Sequence, residues 1–581
     1  MKRISLALAL TCALLSVSAY SEQATDLIAP EGATGFQRNA QVTGKEWMIA
    51  TANPYASDAG AAILAKGGNA IDAMIAAQLV LGLTEPQSSG LGGGAFLVYW
   101  DSKEAALTTF DGRETAPAEV TPQLFQDDKG TPLSFYDAVV GGRSVGTPGT
   151  VKLMWHTHQR LGKLPWKDLF EPAIALARDG FTVSPRLAQL VQQDSERLQR
   201  WPATKAYFFP NGQPLKAGDT LKNPAYTDTL QQIAERGASA FYHGDIAKDI
   251  VKTVRSAEGN PGVLNTMDLA TYQVKERPAV CAPYRQYEVC GMGPPSSGAL
   301  TLGQILGMLS HFPMKELGPQ KALSWHLIGD ASRLAFADRG RYMADSDYVP
   351  MPTAGLLDKD YLSQRAGLLK SSQALQEVSA GLPPWSHAVN YGQDNALELP
   401  STSHLVIVDK DRNVLSMTTT IENGFGSRLM VRGFLLNNEL TDFSFSTHDN
   451  GMPIANRVEP GKRPRSSMAP TIVLKDDQPV LAIGSPGGSQ IIGYVAKTLI
   501  AHLDWGLSLQ QAIDLPNMNN RFGPFELEQG TSAEHWAPEL EKLGFEVQIK
   551  PLNSGVQAIG LFRGQLNGAA DPRREGKVVA R

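Results

Sequence analysis

The chain has 581 residues, with 53 lysines and arginines, 58 aspartates and glutamates, a formal charge of −5 at pH 7 and three cysteines. That length predicts more than one domain. The mildly acidic balance, with no basic run, speaks against nucleic acid or an anionic membrane as partner, and no ligand spacing suggests a metal site.

In chain order, the first signals are for export. Lys2 and Arg3, an apolar run over 4–17 and the small residues Val17-Ser18-Ala19 read as a signal peptide over 1–19. The run is shorter than the ~20 residues of a comfortable membrane span, which leaves an uncleaved anchor as the lesser alternative. No later segment is apolar and long enough to span, so the mature protein is expected to be soluble and periplasmic or secreted. Ser57 and Asn69 are the predicted N-caps of helices over 58–66 and 70–83, separated by Gly67-Gly68. His156 and His158, two apart, fall on different helix faces and read as surface residues. Trp166-Lys167-Asp168 opens a helical run over 169–179 that Gly180 stops. Cys12 leaves with the signal. Cys281 and Cys290 flank a Pro283-Tyr284 turn, and an oxidising compartment permits a disulfide between them, two free buried thiols being the alternative. A further helix is predicted over 323–341. The last third changes character: strands over 403–408, 414–420, 433–436, 471–474 and 480–483 are separated by turn residues, before a helix over 490–502. Strands followed by helices point to a layered α/β sandwich with antiparallel strands.

One position in that last third carries chemistry. Thr402 stands at the head of the apolar strand Leu405-Val406-Ile407-Val408, directly after Ser401. Cutting the chain between Ser401 and Thr402 would give Thr402 a hydroxyl and a free α-amine together. Such an amine has a pKa of about 7.7–8.0, so it serves as a base near neutral pH. A hydroxyl activated by its own residue's amine is a route to covalent catalysis, and the β-methyl restricts the direction of the oxygen.

Thr402 keeps informative company. Asn437-Asn438-Glu439-Leu440-Thr441-Asp442, Lys462-Arg463-Pro464-Arg465-Ser466-Ser467 and Gly484-Ser485-Pro486-Gly487-Gly488-Ser489 lie downstream. Pro86-Gln87-Ser88-Ser89-Gly90-Leu91-Gly92-Gly93-Gly94 and Asp111-Gly112-Arg113-Glu114 lie upstream. In this set and order the chain resembles the γ-glutamyltranspeptidase (glutathione hydrolase) family of self-cleaving N-terminal nucleophile hydrolases, from about residue 67 to 574.

The resemblance implies a four-layer αββα sandwich built jointly by two pieces of one autocleaved chain, 20–401 and 402–581, which stay together as a heterodimer. It implies Thr402 as nucleophile, first against the Ser401 carbonyl and then against a small γ-glutamyl substrate such as glutathione, with the acyl group passed to water or to an amino-acid or peptide acceptor. No cofactor is implied. Thr420 matches the hydroxyl that supports the nucleophile. Gly487 and Gly488 match the oxyanion-hole pair, where missing side chains let backbone N–H groups approach the developing charge; as a phosphate cradle the loop lacks the Lys-Ser/Thr ending. Arg113 matches the arginine that takes the donor's α-carboxylate in a fork. Ser466 and Ser467 match the serine pair on the same carboxylate, and Glu439 and Asp442 the acids that receive the α-amine. Glu422 departs from the family, many members carrying Asn there: ionised, it repels the carboxylate unless it is protonated, turns outward or pairs with a neighbour such as Arg428. The segment 443–465, which carries a tyrosine-tipped lid in some members, holds no tyrosine here. The leading expectation is a γ-glutamyl hydrolase/transpeptidase. A glutaryl-type β-lactam acylase of the same fold and a non-catalytic secreted relative are the alternatives.

Overall fold

The computed structural model describes residues 39–581 except 388, 395, 397 and 400, so the signal-peptide reading over 1–19 lies outside the described residues. Two seven-stranded antiparallel sheets form the centre. The first runs Val42–Gly44, Gln565–Ala570, Gln557–Phe562, Gln478–Gly484, Thr471–Lys475, Tyr287–Gly291 and Val280–Tyr284. The second runs Lys577–Ala580, Met48–Thr51, Thr402–Val408, Val414–Thr420, Gly94–Asp101, Ala106–Gly112 and Lys275–Arg277. Both sheets draw strands from before and after residue 401. Breaking that one peptide bond leaves every ladder intact.

Strand alternation builds the layers. Val406 and Val408 turn inward with Met48, Val98 and Val414 to meet Ile472, Ala482 and Ile559 of the facing sheet. Leu405, Ile407, Leu415 and Met417 turn outward against a helical layer that includes Ile71, Ile75 and Leu79. Helices Gly298–Leu309, Ala322–Tyr342 and Ile491–Leu503 cover the other sheet. Strands covered on both faces read as continuous apolar runs, which explains why Thr402–Val408 is buried throughout. The arrangement is the expected αββα sandwich.

Local signals hold at two of the predicted helix ends. Asn69 caps Ala70–Thr84 in a capping box with Asp72, and Gly180, at φ 102°, ends Glu171–Asp179. Ser57 is a correction. The first helix runs Pro54–Ala65, capped by Asn53, because proline suits the first helical position and the Asn53 side chain accepts the Tyr55 N–H. Ser57 lies buried inside it, bonded to Thr51 and to the Lys577 carbonyl. The strand expected over 433–436 shrinks to Phe434–Leu435, paired with Met430–Val431 outside both main sheets, since the chain reverses through positive φ at Arg432 and Gly433. His158 is not a surface residue: mostly buried, its Nε2 donates to the Leu164 carbonyl at 2.8 Å, whereas half-exposed His156 meets Glu276. Cys281 and Cys290 face each other across neighbouring strands and form a disulfide. Among the described residues no helix is long and apolar enough to cross a membrane.

Candidate active site

The site lies where the two central strands of the second sheet end. Thr402 opens one and Thr420 closes the other, and they stand opposite in the ladder, with Gly94 beyond Thr420. The Thr420 hydroxyl donates to the Ser401 carbonyl at 3.0 Å and accepts the Glu422 N–H at 2.8 Å. The carbonyl that Thr402 would attack is therefore already polarised by a fixed donor. The rest of the segment is clamped too. The Ser401 hydroxyl donates to the Gln87 carbonyl at 2.6 Å, and Arg574 Nη1 donates to the Thr402 carbonyl at 3.1 Å. The Ser403 hydroxyl donates to Glu85 at 2.9 Å. Burial pushes the Glu85 carboxyl up to about 7 against the opposing pull of Arg186 and Arg574.

Gly487 and Gly488 turn the chain from Gln478–Gly484 into the turn and helix that follow, at φ 138° and 56°. Those angles favour glycine. A side chain on Gly488 would meet the Glu398 carbonyl oxygen at 2.6 Å. The glycine loop is thus pressed against the backbone of Glu398, just ahead of Thr402, and Ser489 N–H, at the start of the helical segment, donates to the same Glu398 carbonyl at 3.1 Å.

The other wall is a charged cluster. Arg113 is fully buried and pairs with both Glu439 and Asp442, while also donating to the Pro464 and Arg465 carbonyls. The cation and the acids assigned to opposite ends of a substrate therefore hold each other in the uncut chain. Burial also pushes neighbouring Glu114 up to about 8, and raises Glu439 and Asp442 well above the usual carboxylate range. Ser466 lines the cavity, its hydroxyl accepting the Met468 N–H. Ser467 meets the cavity-lining Glu398 through its N–H at 2.6 Å, while its hydroxyl accepts from Arg339 at 2.7 Å. The space left between Arg113, Thr402, Thr420, Glu422, Asp442 and Gly488 is about 20 Å³. That is room for about one water.

Residues 56–581 match the γ-glutamyltranspeptidase family. The chain belongs to that family. It is 38% identical to a glutathione hydrolase proenzyme of Bacillus subtilis, with 92% of each chain covered, and 37% identical to the Escherichia coli glutathione hydrolase proenzyme, covering 98% of this chain and 97% of that one. Among solved structures, the cephalosporin acylase from Bacillus halodurans superposes with a TM-score of 0.82 at 27% identity, covering 94% of this chain and 97% of the other.

Within this family framework Glu422 is resolved by its surroundings. It neither turns outward nor pairs with Arg428, whose guanidinium is held by Asp194 at 2.8 Å. It is buried, with its backbone at φ 74°, and takes the Leu399 N–H at 3.3 Å and the Asn438 amide. Burial first, and then the charge of Asp442, raise its carboxyl well above the usual range. Both effects disfavour the charged form of its carboxyl. Asn423 beside it donates its N–H to Asn438 at 2.9 Å.

Four site residues escape reading from sequence. Glu114 adjoins Arg113 in its motif, Glu85 directly precedes the segment that begins at Pro86, and Arg574 ends the region of resemblance, yet no local spacing places Glu85 on the Ser403 hydroxyl or Arg574 on the Thr402 carbonyl. Arg339 lies on Ala322–Tyr342, where a charge buried on all sides by a long helix was the only signal. Among the described residues no group of three His, Cys, Asp or Glu is placed to hold a metal ion.

Proposed function

We propose that this chain cuts itself between Ser401 and Thr402 and then works as a γ-glutamyl hydrolase/transpeptidase on glutathione and related amides. The observation that carries this is the Thr420 hydroxyl on the Ser401 carbonyl, opposite Thr402 in the ladder. In the first reaction Thr402 Oγ bonds to the Ser401 carbonyl carbon, and its proton passes to the departing nitrogen, which becomes the Thr402 α-amine. Water then opens the ester, leaving a carboxylate on Ser401 and restoring the hydroxyl. In the second reaction the free amine takes the hydroxyl proton as Oγ attacks the donor's γ-carbonyl. The leaving amine takes that proton, and water or an acceptor amine releases the acyl group. Gly487 and Gly488 are the backbone donors proposed for the second oxyanion, Thr420 the donor for the first. Arg113, Glu439, Asp442, Ser466 and Ser467 are the proposed donor-binding residues. The pieces on either side of the cut are proposed to stay together, because each sheet contains strands of both, and the enzyme to work outside the cytoplasm, where the Cys281–Cys290 disulfide persists.

The glutathione hydrolase proenzymes among the relatives support this substrate class. The likeness to a cephalosporin acylase favours a second reading, an acylase of another amide. One measurement tests the self-cleavage that both readings share, and a second separates them. On a denaturing gel the protein is expected as two bands, the smaller beginning Thr-Ser-His-Leu, while Thr402→Ala stays whole; cutting that survives this substitution refutes the nucleophile. Cut protein is expected to hydrolyse a γ-glutamyl anilide faster than a glutaryl anilide, and the reverse order selects the acylase.

A further inference from the structure

The two buried arginines near the nucleophile differ in what holds them. Arg113 is engaged by Glu439 and Asp442, which sit on one short turn well removed in sequence from the 401–402 bond. Arg339 is engaged by Glu398, three residues ahead of the cut. The Glu398 carboxylate is fully enclosed: Arg339 Nη2 on one oxygen, the Ser467 N–H at 2.6 Å on the other, and Arg465 Nε 3.8 Å away. Burial works against its charge, but Arg339 and Arg465 outweigh burial and hold the carboxyl below the usual range. Arg339 is itself aimed from behind, its Nε donating to the Ser297 hydroxyl at 2.8 Å and its Nη2 to the Ser467 hydroxyl at 2.7 Å. Glu398 and Thr402 line one cavity.

We infer that Arg339 and the Ser467 N–H form a carboxylate-binding subsite for the acyl donor, which Glu398 fills as an internal stand-in until the chain is cut. The inference rests on the γ-glutamyl reading above. Before cutting, residues 398–401 are the acyl side of the scissile bond, and the donor must later take the place of that acyl side. Cutting turns Glu398 from a tethered ligand into part of a loose chain end. A buried guanidinium that loses its carboxylate is left uncompensated, which is costly, so the freed position demands another anion. The α-carboxylate of a γ-glutamyl group supplies it, and the planar fork with an adjacent N–H fits it. Arg339 becomes a specificity residue in addition to Arg113.

The test compares two donors on cut protein: a γ-glutamyl anilide and the 4-aminobutyryl anilide, which keeps the amine and lacks the α-carboxylate. Arg339→Gln is expected to raise KM for the first roughly tenfold or more and to leave KM for the second within about twofold. Arg339→Lys is expected to recover part of the difference. Equal effects on both donors mean a structural role and overturn the subsite. Should the Arg339 variants fail to cut, Glu398→Ala carries the test: without the competing chain end, KM for the γ-glutamyl anilide is expected to fall about threefold or more, with the other donor unmoved. An unchanged KM overturns the shared pocket. Wild-type protein that is cut but leaves the γ-glutamyl anilide intact refutes the substrate reading instead, a result distinct from wild-type turnover without discrimination by the variants.

Discussion

Thr420→Val separates the chemistry of cutting from the fold that supports it. Valine keeps the β-branched shape, so the pairing of position 420 with Thr402 and Gly94 is preserved. What goes is one hydroxyl with two bonds: the 3.0 Å donation to the Ser401 carbonyl and the acceptance of the Glu422 N–H at 2.8 Å. The Ser401 oxygen becomes an oxyanion when Thr402 attacks, and losing a single preorganised donor to such an oxygen slows a reaction by roughly 10²–10³-fold, about 2.7–4 kcal/mol. Leaving the Glu422 N–H unpaired in a buried site costs the folded chain a further ~1–3 kcal/mol. The second cost falls on stability and not specifically on the transition state, so a time course of self-cleavage reports mainly the first. Freshly synthesised chain, followed on denaturing gels, is expected to mature roughly 10²–10³-fold more slowly in Thr420→Val, with circular dichroism showing a folded precursor. Thr420→Ser, which restores the hydroxyl, is expected to cut within about tenfold of wild type. A valine variant that matures at the wild-type rate refutes the reasoning, because the carbonyl bond would then contribute nothing to the attack.

Other outcomes follow from the same geometry. Gly488→Ala places a side chain 2.6 Å from the Glu398 carbonyl oxygen on a backbone at φ 56°, so it is expected to hinder maturation, and wild-type cutting on a gel would show that the loop has room to move. Arg113→Ala is expected to raise KM for γ-glutamyl donors by about tenfold or more. It also leaves Glu439 and Asp442 without their cation, so the urea midpoint of the uncut Thr402→Ala form should drop by the equivalent of roughly 3–5 kcal/mol; an unmoved midpoint means the acids find other partners. For Glu422 the sign is set by its raised pKa. The proton is held more tightly folded than unfolded, so its contribution is complete below the unfolded carboxylate range and is lost as pH rises toward the folded value. In the uncut Thr402→Ala background, the stability difference between Glu422→Gln and its parent is therefore expected to shift in favour of glutamine from about pH 4 to about pH 8. A difference that is flat with pH would mean that Glu422 is ionised.

The sequence by itself determined the things that local chemistry encodes. A hydroxyl residue at the head of an apolar strand, glycines in a tight loop, an Asn ahead of an apolar helical run and a Gly after an amphipathic one are each legible from neighbours a few positions away. The set of motifs around Thr402 pointed to the family, the order of strands and then helices pointed to a layered sandwich, and the resemblance implied its four layers. Even locally there was competition: Ser57 was a plausible cap, but Asn53 with Pro54 starts the helix one turn earlier. Only the tertiary structure decided who pairs with whom. That Arg113 is held by Glu439 and Asp442, that Glu422 sits beside Asn438 and not against Arg428, and that Glu398 takes the fork of Arg339 are all contacts between separate segments of the chain. Charge in a buried site belongs to the whole set of groups enclosed together, since desolvation and Coulomb terms depend on distances that no linear spacing fixes. The motifs therefore pointed to residues that meet at the site, and packing set the partners and the burial that each charge meets there.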